Sequence, residues 1–304
     1  MKVTAISTCW RAEQISDPKE LVNAMKKTGI NQLELEFRVS HDSYEKIKKN
    51  YAAWGVKIVS MHAVCPAPAG RKRGAELFLI SDENEENRIL GVEHIKQTLR
   101  NAAEVGAKAI VVHCGRLPVP EPIDRIKKIY DRGEIHTGEA KKTLQEISQV
   151  RRANREKSFQ VLLQSLDAIN AEAEKYSIKV GLENRYYFFE LPDMEELNDI
   201  FNRFEGGKLG YWHDIGHAQT QENLFGTRQK EMLDAFGHRL IGAHFHDVQR
   251  GYFDHYEPGS GMVDFDMVKP YLKGNTIRVL EINHKVSEAG AKRGIAFLRE
   301  KGIF

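Results

Sequence analysis

Short runs rich in β-branched and aromatic residues recur along the chain, and longer stretches with helical spacing of apolar positions separate them. VTAIST (3–8), QLELEF (32–37), KIVSMHA (57–63), AIVVHCG (109–115), KVGLEN (179–184), LGYWHD (209–214), LIGAHFHD (240–247) and IRVLEI (277–282) predict strands. DPKELVNAMKKTG, NRILGVEHIKQTLRNAAEVG, SFQVLLQSLDAINAEAEKY, DMEELNDIFNRF and EAGAKRGIAFLREKG predict helices. The first opens on Asp17 and Pro18 and closes on Gly29, as helix boundary chemistry requires. Between the last two strands only a short apolar stretch, Met267 to Leu272, stands in a helix position.

Alternation of strand and helix predicts a parallel sheet covered by helices. Eight such strands in 304 residues fit an α/β fold of the (β/α)8 TIM barrel type, with residues 1–304 forming a single domain. An open doubly wound sheet would carry a Gly-rich phosphate turn after its first strand, and ISTCWRAE carries none. Residues 116–157, with Pro118, Pro120 and Pro122 ahead of mixed-charge helical sequence, read as a helical insertion after strand four. On a barrel it lies near the mouth, as a solvated excursion suited to oligomer contact or as a substrate lid.

Composition narrows the partners. Lys plus Arg is 45 against 43 for Asp plus Glu, so a net charge of +2 gives no bulk attraction for nucleic acid. Cys9, Cys65 and Cys114 are scattered, without a C-x-x-C pair, which argues against a disulfide framework. No apolar run reaches membrane-spanning length, and MKVTAISTCW lacks a signal-peptide core. The expectation is a soluble cytoplasmic protein, without membrane or nucleic-acid partners, acting on a small molecule and able to form a homo-oligomer.

The chemistry stands at the strand ends, where (β/α)8 enzymes build their sites. The third strand ends in His62, the fourth in His113, the fifth in Glu183 and the sixth in Asp214, with His217 three residues on. The seventh carries His244 and His246, Asp254 and His255 follow it, and the eighth carries Glu281. Alternation puts His244 and His246 on one face, puts Trp212 with Asp214, and turns His213 away. Converging Glu, Asp and His side chains suit a borderline divalent ion such as Zn²⁺ or Mn²⁺. Glu34 and Glu36 alternate with apolar neighbours on strand two, so a carboxylate there is either a buried ion pair or a substrate contact. RYYFFELP (185–192) reads as a pocket wall or a dimer contact, and EPGSG (257–261) as an anion-approaching loop or a plain turn.

The motifs SMHA, VVHCG, GLEN, HDIGHA, AHFHD, DHYEPGSG and LEIN resemble the xylose isomerase-like TIM-barrel superfamily, which includes sugar isomerases and epimerases and also endonuclease IV. The resemblance covers nearly the whole chain. In its sugar epimerase branch it implies a four-ligand metal site of Glu183, Asp214, His244 and Glu281, with Glu183 and Glu281 as the catalytic acid and base. It also implies substrate contacts from His217 and Arg250. In the endonuclease IV branch it adds His62, His113, His217, Asp254 and His255 as ligands of further zinc ions, although adjacent Asp254 and His255 depart from that enzyme's Asp-x-His spacing. The implied cofactor is Mn²⁺ or Zn²⁺, with Mg²⁺ and Co²⁺ as alternatives, and one tightly held ion is expected. The implied activity is isomerisation or epimerisation of a sugar or sugar phosphate. Zinc-dependent phosphodiester hydrolysis, a lyase or dehydratase, and a non-catalytic binder are the rivals.

Overall fold

Both faces of this sheet are covered, so its strands are built from continuous apolar runs. The computed structural model describes residues 2–68 and 79–304. The strands β1 (Val3–Ser7), β2 (Gln32–Leu35), β3 (Lys57–His62), β4 (Ala109–Val112), β5 (Lys179–Glu183), β6 (Leu209–Asp214) and β7 (Leu240–Phe245) match the predicted runs. A two-stranded antiparallel hairpin, β8 (Asp247–Gln249) and β9 (Phe253–Tyr256), then interrupts the alternation, so the eighth barrel strand is β10 (Ile277–Leu280). The barrel closes in the order β1-β10-β7-β6-β5-β4-β3-β2, with all neighbours parallel. It is a TIM barrel, as the periodicity predicts.

The helices α1 (Pro18–Lys26), α2 (His41–Asn50), α3 (Glu85–Glu104), α4 (Ile123–Asp131), α5 (Gly138–Tyr176), α6 (Met194–Arg203), α7 (Ile215–Phe225), α8 (Gln229–Phe236) and α9 (Glu288–Glu300) follow in chain order. Asp17 caps α1, accepting the Lys19 and Glu20 N–H groups, and a capping box between Asp193 and Glu196 opens α6. Between β9 and β10 the Met267–Leu272 stretch forms only a 3-10 turn, Lys269–Tyr271. No helix among the described residues is long and apolar enough to cross a membrane.

The expected insertion has a different shape from the one predicted. Its boundary near Lys157 is no boundary, because α5 runs unbroken for 39 residues from Gly138 to Tyr176. No Gly or Pro interrupts the helix after its first residue. The insertion is therefore α4 together with an N-terminal extension of α5, and it braces loops at the mouth. Arg151 of α5 donates to the carbonyls of Phe188 and Glu190 at 2.8 and 3.0 Å. The Glu121 carboxylate accepts the N–H groups of Phe188 and Phe189. Asp131 accepts the Tyr252 hydroxyl, which ties α4 to the β8–β9 turn.

A small apolar core inside the barrel, including Ala5, Val59, Val111, Trp212 and Val279, is separate from the large core between sheet and helices. Trp212 fills this interior because both neighbouring strands give way to it. A Cβ on Gly181 of β5 would lie 2.8 Å from the indole, and one on Gly242 of β7 would lie 2.4 Å from it. Each glycine stands two residues before a ligand-type side chain, Glu183 or His244, and Trp212 stands two before Asp214. The indole thus floors the site, with its ring centroid 5.1 Å from that of His244.

Candidate metal centre

Parallel register brings the strand ends to one level, with Glu183 beside Trp212 and Asp214 beside His244. Three carboxylates then meet one imidazole nitrogen. His244 Nδ1 lies 2.6 Å from Glu183 Oε1, 3.0 Å from Glu281 Oε2 and 3.5 Å from Asp214 Oδ2. All four residues are buried, Glu281 being the most accessible at 8%. One ring nitrogen has one N–H at most and cannot satisfy three anionic partners. Burial opposes the ionisation of Glu183, yet His113 and His244 more than reverse it and hold the carboxyl well below its usual range. Asp214 is held low in the same way by His217 and His246. Buried, ionised oxygens with one imidazole nitrogen form a donor set that fits a divalent cation, with ligand atoms close enough to share it.

Supporting hydrogen bonds fix which nitrogen each histidine presents. The His244 Nε2–H donates to Glu34 at 3.0 Å, and Glu34 is itself held by the Ser60 hydroxyl at 2.8 Å. This turns Nδ1 toward the three carboxylates, the arrangement by which a carboxylate behind the ring would orient a metal-binding histidine. His62 donates Nδ1–H to the Ala63 carbonyl, His217 to Asn184 and His255 to Glu281, so each turns Nε2 outward. His246 differs, because its Nδ1 accepts the His255 backbone N–H at 2.9 Å while Nε2 donates to Asp214. Two further groups of ligand atoms adjoin the central one: His62, His113 and Glu183 on one side, and His217, His246 and His255 on the other. Burial, then mutual repulsion, lowers the His62 pKa to about 4, and burial with the Arg185 charge does the same for His113, so both rings are neutral at pH 7.

The remaining sequence candidates fall around this centre. Asp254 sits 3.7 Å from both His217 Nε2 and His255 Nε2, and Tyr186 stands edge-on to His217 at 5.9 Å as a wall. Glu36 is buried against Arg38 at 2.8 Å, and burial lifts its pKa to about 7 despite that partner. Arg250 is exposed at the tip of the β8–β9 turn, with a left-handed φ of 49°. His213 points outward, as alternation requires, and bonds Tyr211 and Gln229. The EPGSG loop is not an open anion cradle, because Asp247 already accepts the N–H groups of Gly259 and Gly261. Two residues join this cluster that the strand-end pattern does not pick out: Glu34, the partner of His244, and Arg185, which bonds both His113 and Glu183. The same-face pairing of Glu34 with Glu36 was a visible signal for the first; nothing in the local pattern marked the second.

Fold and site together define a (β/α)8 barrel with a buried carboxylate–histidine cluster suited to a divalent cation at its C-terminal mouth. Residues 22–301 match the family model described as a xylose isomerase-like TIM barrel, and the chain belongs to this family. It is 31% identical over 193 residues to the uncharacterized protein MJ1311 of Methanocaldococcus jannaschii, covering 62% of this chain and 55% of that one. The chain thus spans little more than half the length of this relative. A D-tagatose 3-epimerase-like protein superposes with a TM-score of 0.70 at 23% identity, covering 100% of this chain and 98% of that one. The IOLI protein, solved with a zinc atom, superposes with a TM-score of 0.65 at 15% identity, covering 100% and 98%. These two likenesses concern the fold.

Proposed function

We propose that this protein is a divalent-metal-dependent isomerase or epimerase of a sugar or sugar phosphate. The observation that carries the reading is the convergence of Glu183, Asp214 and Glu281 on His244 Nδ1. The two glutamates arrive from β5 and β10, which β6 and β7 separate in the barrel, so they approach a bound substrate from different sides. The sugar class is supported by family membership and by the shared fold of the epimerase-like neighbour.

A divalent ion, Mn²⁺ or Zn²⁺ by the donor set, supplies Lewis-acid polarisation of adjacent substrate oxygens when Glu183, Asp214, His244 and Glu281 hold it. Glu183 and Glu281 act as the base and acid. One takes the proton from the substrate carbon, and the other returns a proton to the opposite face. The outward Nε2 atoms of His62, His217 and His255 accept hydrogen bonds from substrate hydroxyls. Arg250 and Glu36 are the further substrate contacts in this reading.

Proton exchange tests it. The protein washes solvent deuterium into its true substrate, while Glu183→Gln and Glu281→Gln stay folded and lose several orders of magnitude in turnover. Near-normal turnover by either variant sinks the assignment. A second reading, phosphodiester hydrolysis, draws on the two ligand groups that flank the central one. It requires more than one ion per chain and predicts cleavage of a phosphodiester without deuterium exchange.

A further inference from the structure

Arg185 sits where one of the flanking ligand groups would place its ion. Its Nη1 is 2.5 Å from Glu183 Oε2 and 2.5 Å from His113 Nε2, and that oxygen and nitrogen are 2.8 Å apart. His62 Nε2 faces the same Glu183 oxygen at 4.0 Å. We propose that the Arg185 guanidinium is a built-in cation that fills the His62–His113–Glu183 group and excludes a metal ion from it. The inference rests on the metal reading of the central cluster and adds a limit on how many ions the mouth takes.

The first reason is the lone pair. His113 Nε2 either accepts the Arg185 Nη1–H or, in the other tautomer, donates its own N–H to Glu183, and in both cases it keeps no lone pair for a metal ion. An ion at ordinary ligand distances of about 2 Å from His113 Nε2 would overlap the position of Nη1. The second reason is anchorage. At its other edge Arg185 donates through Nη2 and Nε to Glu190 Oε1, at 2.9 and 3.2 Å. Glu190 Oε2 in turn accepts the Tyr187 N–H, and Arg151 holds the Glu190 carbonyl. Arg185 and Glu190 have side chains only 6% and 3% exposed. Withdrawal of the guanidinium would strand a buried carboxylate without its counter-charge.

The third reason is the absence of metal-type support behind His113. The other mouth histidines that turn an Nε2 outward donate Nδ1–H to a backbone carbonyl, whereas His113 Nδ1 is buried with no hydrogen-bond partner among the described residues. Metal-binding histidines almost always have that partner. The consequence for chemistry is a divided glutamate. Arg185 holds Oε2 of Glu183, while Oε1 points at His244 Nδ1 in the central cluster. Glu183 therefore cannot bridge two ions, which removes the arrangement that two-ion phosphoester hydrolysis uses on this side of the mouth.

Metal counting tests the proposal without reference to activity. Metal-free full-length protein is titrated with Co²⁺, and bound metal per folded chain is measured for the parent, His113→Ala, Arg185→Ala and the Arg185→Ala/His113→Ala pair. The parent and His113→Ala bind the same number of ions. Arg185→Ala binds one more, and adding His113→Ala removes it. Loss of an ion from the parent on His113→Ala alone overturns the proposal, and this comparison decides if Arg185→Ala does not fold. A folded Arg185→Ala that gains nothing overturns it as well, while leaving the central metal reading intact. No bound ion in any variant sinks both.

Discussion

Glu34 offers the sharpest test of how the centre is assembled, because it stands behind His244 and belongs to none of the candidate ligand groups. Its carboxylate accepts the His244 Nε2–H at 3.0 Å and the Ser60 hydroxyl at 2.8 Å, fully buried. In Glu34→Gln the amide oxygen can still accept from His244, and the amide N–H can donate to Ser60, so packing and hydrogen bonds survive. The charge is what disappears. Through the imidazole ring it stands about 7 Å from an ion on Nδ1, given a metal–nitrogen distance of roughly 2 Å. A unit charge facing a dication at that distance is worth about 5 kcal/mol at an effective dielectric of about 20. Desolvation and rearrangement offset much of this, and substitutions behind metal ligands typically cost about 10- to 100-fold in affinity, or about 1.4–2.7 kcal/mol. The expected result is Zn²⁺ affinity in that lowered range, read by competition with a chromophoric chelator, with the metal-free variant unfolding near the parent temperature. Glu34→Ala should lose affinity and also stability, because it leaves two buried donors unpaired at about 1–3 kcal/mol each. Zn²⁺ affinity of Glu34→Gln within twofold of the parent would refute the role of Glu34 as the partner that orients and charges His244.

Other consequences follow from the same geometry. Gly242→Ala drives a methyl group to within 2.4 Å of the Trp212 ring, so urea unfolding of the metal-free protein should show a loss of about 1–3 kcal/mol, and Trp212→Leu in the same chain should recover part of it. Equal stability of Gly242→Ala and parent would mean that the indole does not fill the barrel as described. Arg250→Ala should raise KM or lower kcat on the true substrate while bound metal stays constant, since the exposed β8–β9 turn carries no ligand of the central cluster; loss of metal would assign the residue a structural role instead.

Much of this protein is legible from local pattern. Eight apolar runs separated by amphipathic stretches specify a parallel barrel, because a strand buried on both faces and a helix buried on one have different apolar periods. Strand alternation alone turns Trp212 and Asp214 inward and His213 outward, and the structure agrees, with His213 held by Tyr211 and Gln229 outside the barrel. Ligand-type residues at strand ends are visible for the same reason: barrel geometry carries every C-terminal strand end to one mouth.

What the tertiary structure decided depends on contacts between distant parts of the chain. Glu34 reaches His244 across a separation of 210 residues, and Arg185 reaches His113 across 72. Neither pairing exists until the barrel closes. The ring nitrogen that each histidine presents is likewise set by its partner, Asn184 for His217 and Glu281 for His255, rather than by its place in a motif. The sequence of the glycine loop at 257–261 fits an anion-approaching loop and a plain turn equally, and only the fold shows that its N–H groups meet the Asp247 carboxylate of the same chain. Periodicity selects the face a side chain takes; only closure of the fold selects the atom it meets there.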